Sequence, residues 1–202
     1  MLAFAAIVPH PPLLLPSIGS IVDRQQVKKT LMALEVLAKK FKKVQPEVII
    51  ISSPHQDWGF DVPLYFLAKN FEGEIKKVLT DFASPRQHFE KGQSIFQSLE
   101  KNKRYAFIAS GDLSHCLRAD GPYGFNPDGP RFDEALQKYL LEKNKVDFLK
   151  LNESFPEAGE CGLRSFSFLW GVLEATETDW QVEILSYEKP FGVGYLVANF
   201  LI

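Results

Sequence analysis

Three of the chain's four histidines, His10, His55 and His115, each stand a few residues beyond a short apolar run. Imidazole is the commonest biological metal ligand and titrates near neutrality, so rings that converge can bind a cation or carry protons. Prolines bracket His10 in Pro9-His10-Pro11-Pro12, and Pro54 precedes His55. They pre-set the local backbone, which suits a ligand loop and equally a rigid turn. In Ser110-Gly111-Asp112-Leu113-Ser114-His115, Asp112 is placed to orient an imidazole or to cap a turn. In Gly159-Glu160-Cys161-Gly162, Glu160 precedes an apolar helical stretch, where a carboxylate caps the helix or serves as a ligand. Two histidines and one carboxylate make the facial triad of non-haem ferrous oxygenases, with positions left for substrate and dioxygen. His88, among Arg86, Gln87 and Glu90, reads instead as a solvated helix residue.

The elements around these residues predict how they meet. Leu2–Val8, Val48–Ile51 and Tyr105–Ala109 are short apolar runs that read as buried strands, and His10, His55 and His115 follow their C-terminal ends. In an open α/β sheet ligands bind in the crevice outside those ends, so the three imidazoles are expected to face one crevice. Apolar spacing predicts helices over Asp23–Lys43, from Ser84-Pro85 to about Glu100, and over Arg131–Leu141, Val146–Leu151 and Leu163–Ala175. Val62–Leu67 reads as a further strand, and Val182–Tyr187 with Gly194–Phe200 as a closing antiparallel pair. The alternation argues a single α/β domain over residues 1–202, with a mixed, mostly parallel central sheet flanked by helices on both faces.

Composition excludes other classes. A hydrophobic fraction of 46% supports a sizeable core, and a net charge of −2 with scattered basic residues leaves no footprint for nucleic acid. The basic run Lys39-Lys40-Phe41-Lys42-Lys43 closes a predicted helix, where cations complement the dipole. No apolar stretch reaches the roughly 18–20 residues of a membrane span. Met1–Val8 lacks the basic start of a signal peptide, and two cysteines are too few for a disulfide framework, so a cytoplasmic location is expected.

In combination, Pro9-His10-Pro11-Pro12, Ser53-Pro54-His55, the Gly111-Asp112-Leu113-Ser114-His115 motif and Gly159-Glu160-Cys161-Gly162 resemble the catalytic (LigB-type) subunit of class III extradiol ring-cleavage dioxygenases. The nearer resemblance is to the branch found with AMMECR1-type and Memo-type proteins, which Gly121-Pro122-Tyr123-Gly124-Phe125 with Gly129, Phe132 and Asp133 also fits. It runs over essentially the whole chain, and Gly-Asp-Leu-Ser-His is its most specific motif. The resemblance implies a LigB-like fold in which His10, His55 and Glu160 ligate Fe(2+), with Zn or another divalent metal as the alternative. His115, with Asp112 beside it, would be the acid/base group in O2-dependent opening of a small catechol-type aromatic. In Memo-like relatives a cysteine stands near the third-ligand position, so Cys161 competes with Glu160; a thiolate favours softer ions such as Zn or Cu. Phe60, Tyr123 and Phe125 sit in the candidate loops, either lining an aromatic pocket or packing on the domain. The resemblance also allows a homo-oligomer or an AMMECR1-type partner. Other functions it admits are a Zn- or Mn-dependent hydrolase and a Memo-like non-enzymatic module that binds metal or protein.

Overall fold

The computed structural model describes residues 1–202. Six strands, β1 (Leu2–Val8), β2 (Val48–Ser53), β3 (Glu74–Leu79), β4 (Tyr105–Ser110), β5 (Gln181–Glu188) and β6 (Tyr195–Leu201), form one sheet in the order β3-β2-β4-β1-β6-β5. The first four in that order run parallel, and β6 and β5 are antiparallel additions. Alternate side chains of the central strands enter two cores. Ala5, Ile7, Phe107 and Ala109 face one side, and Phe4, Ala6, Val8, Ala106 and Ile108 face the other. Burial on both faces is why these strands read as unbroken apolar runs.

The helices are α1 (Ile21–Gln26), α2 (Lys28–Val44), α3 (Trp58–Leu67), α4 (Pro85–Gln97), α5 (Asp128–Leu141), the short α6 (Lys145–Phe148) and α7 (Leu151–Ser154), and α8 (Leu163–Ala175). α2 and α3 cover one face; α4, α5 and α8 cover the other. α8 lies close against α4. A Cβ at Gly171 would stand 1.9 Å from the Phe89 carbonyl oxygen, so the two backbones touch where glycine alone fits. No helix is long and apolar enough to cross a membrane.

Three sequence expectations change. Val62–Leu67 is the second half of helix α3 rather than a strand. Its residues are apolar all round, which leaves no helical period to read. The strand in this region is instead β3, at the sheet edge and largely exposed, with Lys76 and Lys77 along it; charged edge strands of this kind discourage sheet-to-sheet pairing. The long first helix divides at Val27, where the Glu188 carboxylate accepts from Thr30 N–H and Oγ1–H, both at 2.7 Å, and caps α2. His88 is buried, at 2% exposure, rather than solvated. Its Nδ1–H donates to the Ser84 carbonyl at 3.0 Å, and Nε2 accepts from Asp81 N–H at 3.4 Å, so the ring closes the turn that starts α4.

Candidate metal centre

Parallel strands deliver their C-terminal ends to one edge of the sheet, and the shared direction of β1, β2 and β4 brings His10, His55 and Asp112 to that edge together. His10 is buried and its backbone N–H donates to Asp112 Oδ1 at 3.1 Å. His55 sits at the exposed rim on a tight turn, in which Ser53 Oγ accepts from His55 N–H at 3.1 Å and donates to the His55 carbonyl at 2.9 Å. The two rings meet edge to face, 5.1 Å between centroids. The third partner comes from the loop before α8. A Cβ at Gly111 would stand 2.3 Å from Gly162 Cα, so the β4 and α8 loops touch backbone to backbone and carry Cys161 inward.

The ligand atoms of His10, His55 and Cys161 all lie within 4.8 Å of one another, and those of Asp112, His115 and Cys161 form a second, overlapping group. A tetrahedral cation about 2.3 Å from sulfur and about 2.0–2.1 Å from nitrogen holds those two donors about 3.5 Å apart. His10 Nε2 and Cys161 Sγ are 3.5 Å apart. The donor set therefore fits a metal.

A chain of hydrogen bonds fixes which nitrogen of His10 faces this point. Pro63 has no N–H, so the Gly59 carbonyl four residues earlier in α3 lacks its helical donor. Ser110 Oγ–H donates to that carbonyl, and the same oxygen stands 2.9 Å from His10 Nδ1. With its proton committed to Gly59, the Ser110 oxygen accepts from Nδ1–H, which leaves the Nε2 lone pair toward Cys161. This is the orienting partner that metal-bound imidazoles commonly have.

The electrostatics match. Burial, with His55 alongside, lowers the His10 pKa to about 3, so the ring is neutral and ready to donate its lone pair. Burial and the nearby Asp112 carboxylate push the Cys161 thiol well above its usual range, although Asp112 N–H donates to Sγ at 3.3 Å. A bound cation would favour the thiolate. Burial raises the Asp112 carboxyl to about 6. It also lowers His115, against the pull of the Asp112 charge, and His115 Nε2 is buried with no hydrogen-bond partner.

Glu160 does not join the donor set. One of its oxygens accepts from Leu163 N–H at 2.6 Å, and the other lies 3.5 Å from Arg164 Nη1. The unpaired N–H groups at the start of α8 take the carboxylate, as helix N-termini do. Its neighbour Cys161 holds the position expected of it.

His10 and His55 open on a cavity of about 370 Å³ that Asp112, His115, Trp58, Tyr123 and Tyr195 also line. Tyr123 packs on His115, 4.9 Å between ring centroids. Phe60 is buried in the core beneath Lys77, and Phe125 is 56% exposed beside the Leu117–Phe125 bridge, so neither lines the cavity. With α3 helical, Phe60 turns inward and Trp58 takes the place expected of it. Trp58 was within reach of a sequence reading, three residues after His55; Tyr195, at the start of β6, carried no such signal. Asp133, which the sequence offered only as part of the family signature, is a further support. It accepts from Ser114 N–H at 2.8 Å and from Tyr187 Oη–H at 2.5 Å, and so holds the loop that ends in His115. A second cavity of about 430 Å³, between the ends of α2 and α3, has no histidine, cysteine or acidic side chain in its lining.

Comparison with known proteins agrees with this architecture. An uncharacterized Escherichia coli K12 protein, JW3007, known from its crystal structure, superposes with a TM-score of 0.63 over 99% of this chain and 100% of its own, at 15% identity; this likeness concerns the fold. Protein CA_C1420 of Clostridium acetobutylicum is 43% identical over 143 residues, 69% of this chain but 30% of that longer protein. Residues 56–198 match the family model "Catalytic LigB subunit of aromatic ring-opening dioxygenase". That segment includes Asp112, His115 and Cys161 and begins one residue after His55, so the histidine ligands rest on the geometry above. The chain belongs to the LigB family.

Proposed function

We propose that this protein holds one divalent metal through His10, His55 and Cys161 and, with ferrous iron, opens a catechol-type aromatic ring with O2. The observation that carries the proposal is the convergence of three ligand atoms within 4.8 Å beside a cavity lined by aromatic side chains, in a chain of the LigB family. When bound, the metal supplies Lewis acidity toward the diol oxygens and, as iron, the electron chemistry that O2 requires.

The chain's own residues supply the rest. Ser110 sets the His10 tautomer, and Asp112 fixes the His10 backbone. His115 is neutral at neutral pH, because burial lowers its pKa, and its free Nε2 is the atom that accepts the diol proton. The Asp112 charge opposes that lowering and so stabilises the imidazolium once formed. An imidazole can then return the proton, which suits it to a general acid/base role. Trp58 and Tyr123 offer aromatic surface against which a substrate ring is shielded from water.

One observation favours a second reading. A thiolate in place of a carboxylate favours a softer ion such as zinc or copper, in a site that binds without turnover. Anaerobic loading with ferrous iron, followed by O2 uptake against a catechol panel, separates the two. Stoichiometric O2 consumption with at least one diol is expected. Iron binding without O2 uptake on any diol would overturn the dioxygenase proposal in favour of the second reading.

A further inference from the structure

We infer that the cavity selects small uncharged aromatic diols over diols that carry a carboxylate, and that the Tyr195 hydroxyl donates a hydrogen bond to the bound ring's oxygen. The inference rests on the diol-binding reading above and narrows it.

Apart from His10, His55, Asp112 and His115, the lining consists of Pro11, Pro12, Trp58, Tyr123, Val193 and Tyr195. None of these is cationic. The arginines of the neighbouring loops are committed elsewhere: Arg164 to Glu160 and the Ala83 carbonyl, Arg118 to Asp120 and the Pro190 carbonyl. The only carboxylate facing the cavity is Asp112, which has the same sign as a benzoate group. With the metal taken up by the diol oxygens, a carboxylate elsewhere on the ring would lose water and meet no cationic side chain of the lining, a heavier penalty than that for a neutral substituent. A neutral ring keeps the aromatic contacts and avoids that penalty. About 370 Å³ lies at the small end of ligand pockets and suits a single ring with short substituents.

Tyr195 supplies the polar handle. The residue is 2% exposed overall and its side chain lines the cavity. Burial, followed by the Asp112 and Tyr123 charges, raises its pKa, so the group remains a neutral donor. The hydroxyl is not among the side-chain atoms buried without a partner, so a ligand oxygen in the cavity that Tyr195 lines can accept from it in place of water.

The test uses zinc-loaded protein, in which binding can be read without turnover. Trp58 is 47% exposed at the cavity, whereas Trp170 and Trp180 are buried in the core, so quenching of Trp58 fluorescence reports occupancy and Trp58→Phe identifies the signal. Catechol and 4-methylcatechol are expected to bind at least about tenfold tighter than 3,4-dihydroxybenzoate. Tyr195→Phe is expected to weaken catechol about threefold to tenfold while zinc affinity and thermal stability match the wild type. Dihydroxybenzoate binding as tightly as catechol overturns the selectivity, and unchanged catechol affinity in Tyr195→Phe overturns the role of that hydroxyl. If Tyr195→Phe does not fold, the comparison of ligands on the wild type still decides the selectivity. Binding of none of the diols removes the diol-binding reading itself and this inference with it.

Discussion

Ser110→Ala is the substitution that most sharply separates metal binding from folding. The hydroxyl bridges two groups: its oxygen accepts from His10 Nδ1–H at 2.9 Å, and its proton goes to the Gly59 carbonyl, which Pro63 leaves without a helical donor. Ser110 and Gly59 are buried, so water does not replace the lost partner. Loss of an imidazole's orienting partner weakens metal binding about 10- to 100-fold, or about 1.4–2.7 kcal/mol. Leaving the Gly59 oxygen and Nδ1–H unpaired costs about 1–3 kcal/mol of stability for each. The two effects are separable. Adding Pro63→Ala restores an N–H to the Gly59 carbonyl, so the double variant should recover part of the stability and none of the metal affinity. Competition with a chromogenic zinc chelator reads the first quantity, and denaturant unfolding of the metal-free protein reads the second. A Ser110→Ala zinc affinity within about twofold of the wild type would refute the tautomer assignment, because no orienting effect of the usual size would remain.

Other substitutions divide the roles further. Cys161→Ala should reduce metal affinity by about 100-fold or more, whereas Glu160→Gln should leave it within a few-fold and lower stability by about 1 kcal/mol through the weakened helix cap; chelator competition and unfolding curves compare the pair. His115→Ala should retain the metal and lose O2 uptake, and an empty site in that variant would mean that His115 is a ligand. Burial raises the Asp133 carboxyl from 3.8 to about 7, so the folded chain binds more protons than the unfolded chain across that window. That group therefore withdraws stability as pH rises from about 4 to about 7. Asp133→Asn abolishes this titration, and its unfolding midpoint should gain on the wild type between about pH 4 and about pH 8. Parallel pH profiles for the two proteins would contradict the burial argument.

The strands that position the site were legible because burial on both faces writes itself into the sequence as apolar runs, and the histidines stood beyond those runs. The LigB resemblance was carried by the same short loops. Three features were less legible. β3 lies at an exposed edge, where Glu74, Lys76 and Lys77 break up its apolar residues. The second half of helix α3, Val62–Leu67, is apolar throughout and reads as a strand, and the helical turn that begins at Trp58 puts Phe60 in the core and Trp58 at the cavity. The choice between Glu160 and Cys161 was not written in composition at all. It follows from the loop conformation, with Gly159 at φ +64° just before the pair, and from the free N–H groups of α8 that claim the carboxylate. Adjacent residues in such a turn point different ways, and only the backbone decides which enters the site.

Cobalt(II) titration of the reduced, metal-free protein tests the site most directly. One equivalent should bind with a sulfur-to-cobalt charge-transfer band in the near ultraviolet, and that band should vanish in Cys161→Ala and persist in Glu160→Gln. Tight cobalt binding without the band, equally strong in Cys161→Ala, would contradict a centre built from His10, His55 and Cys161.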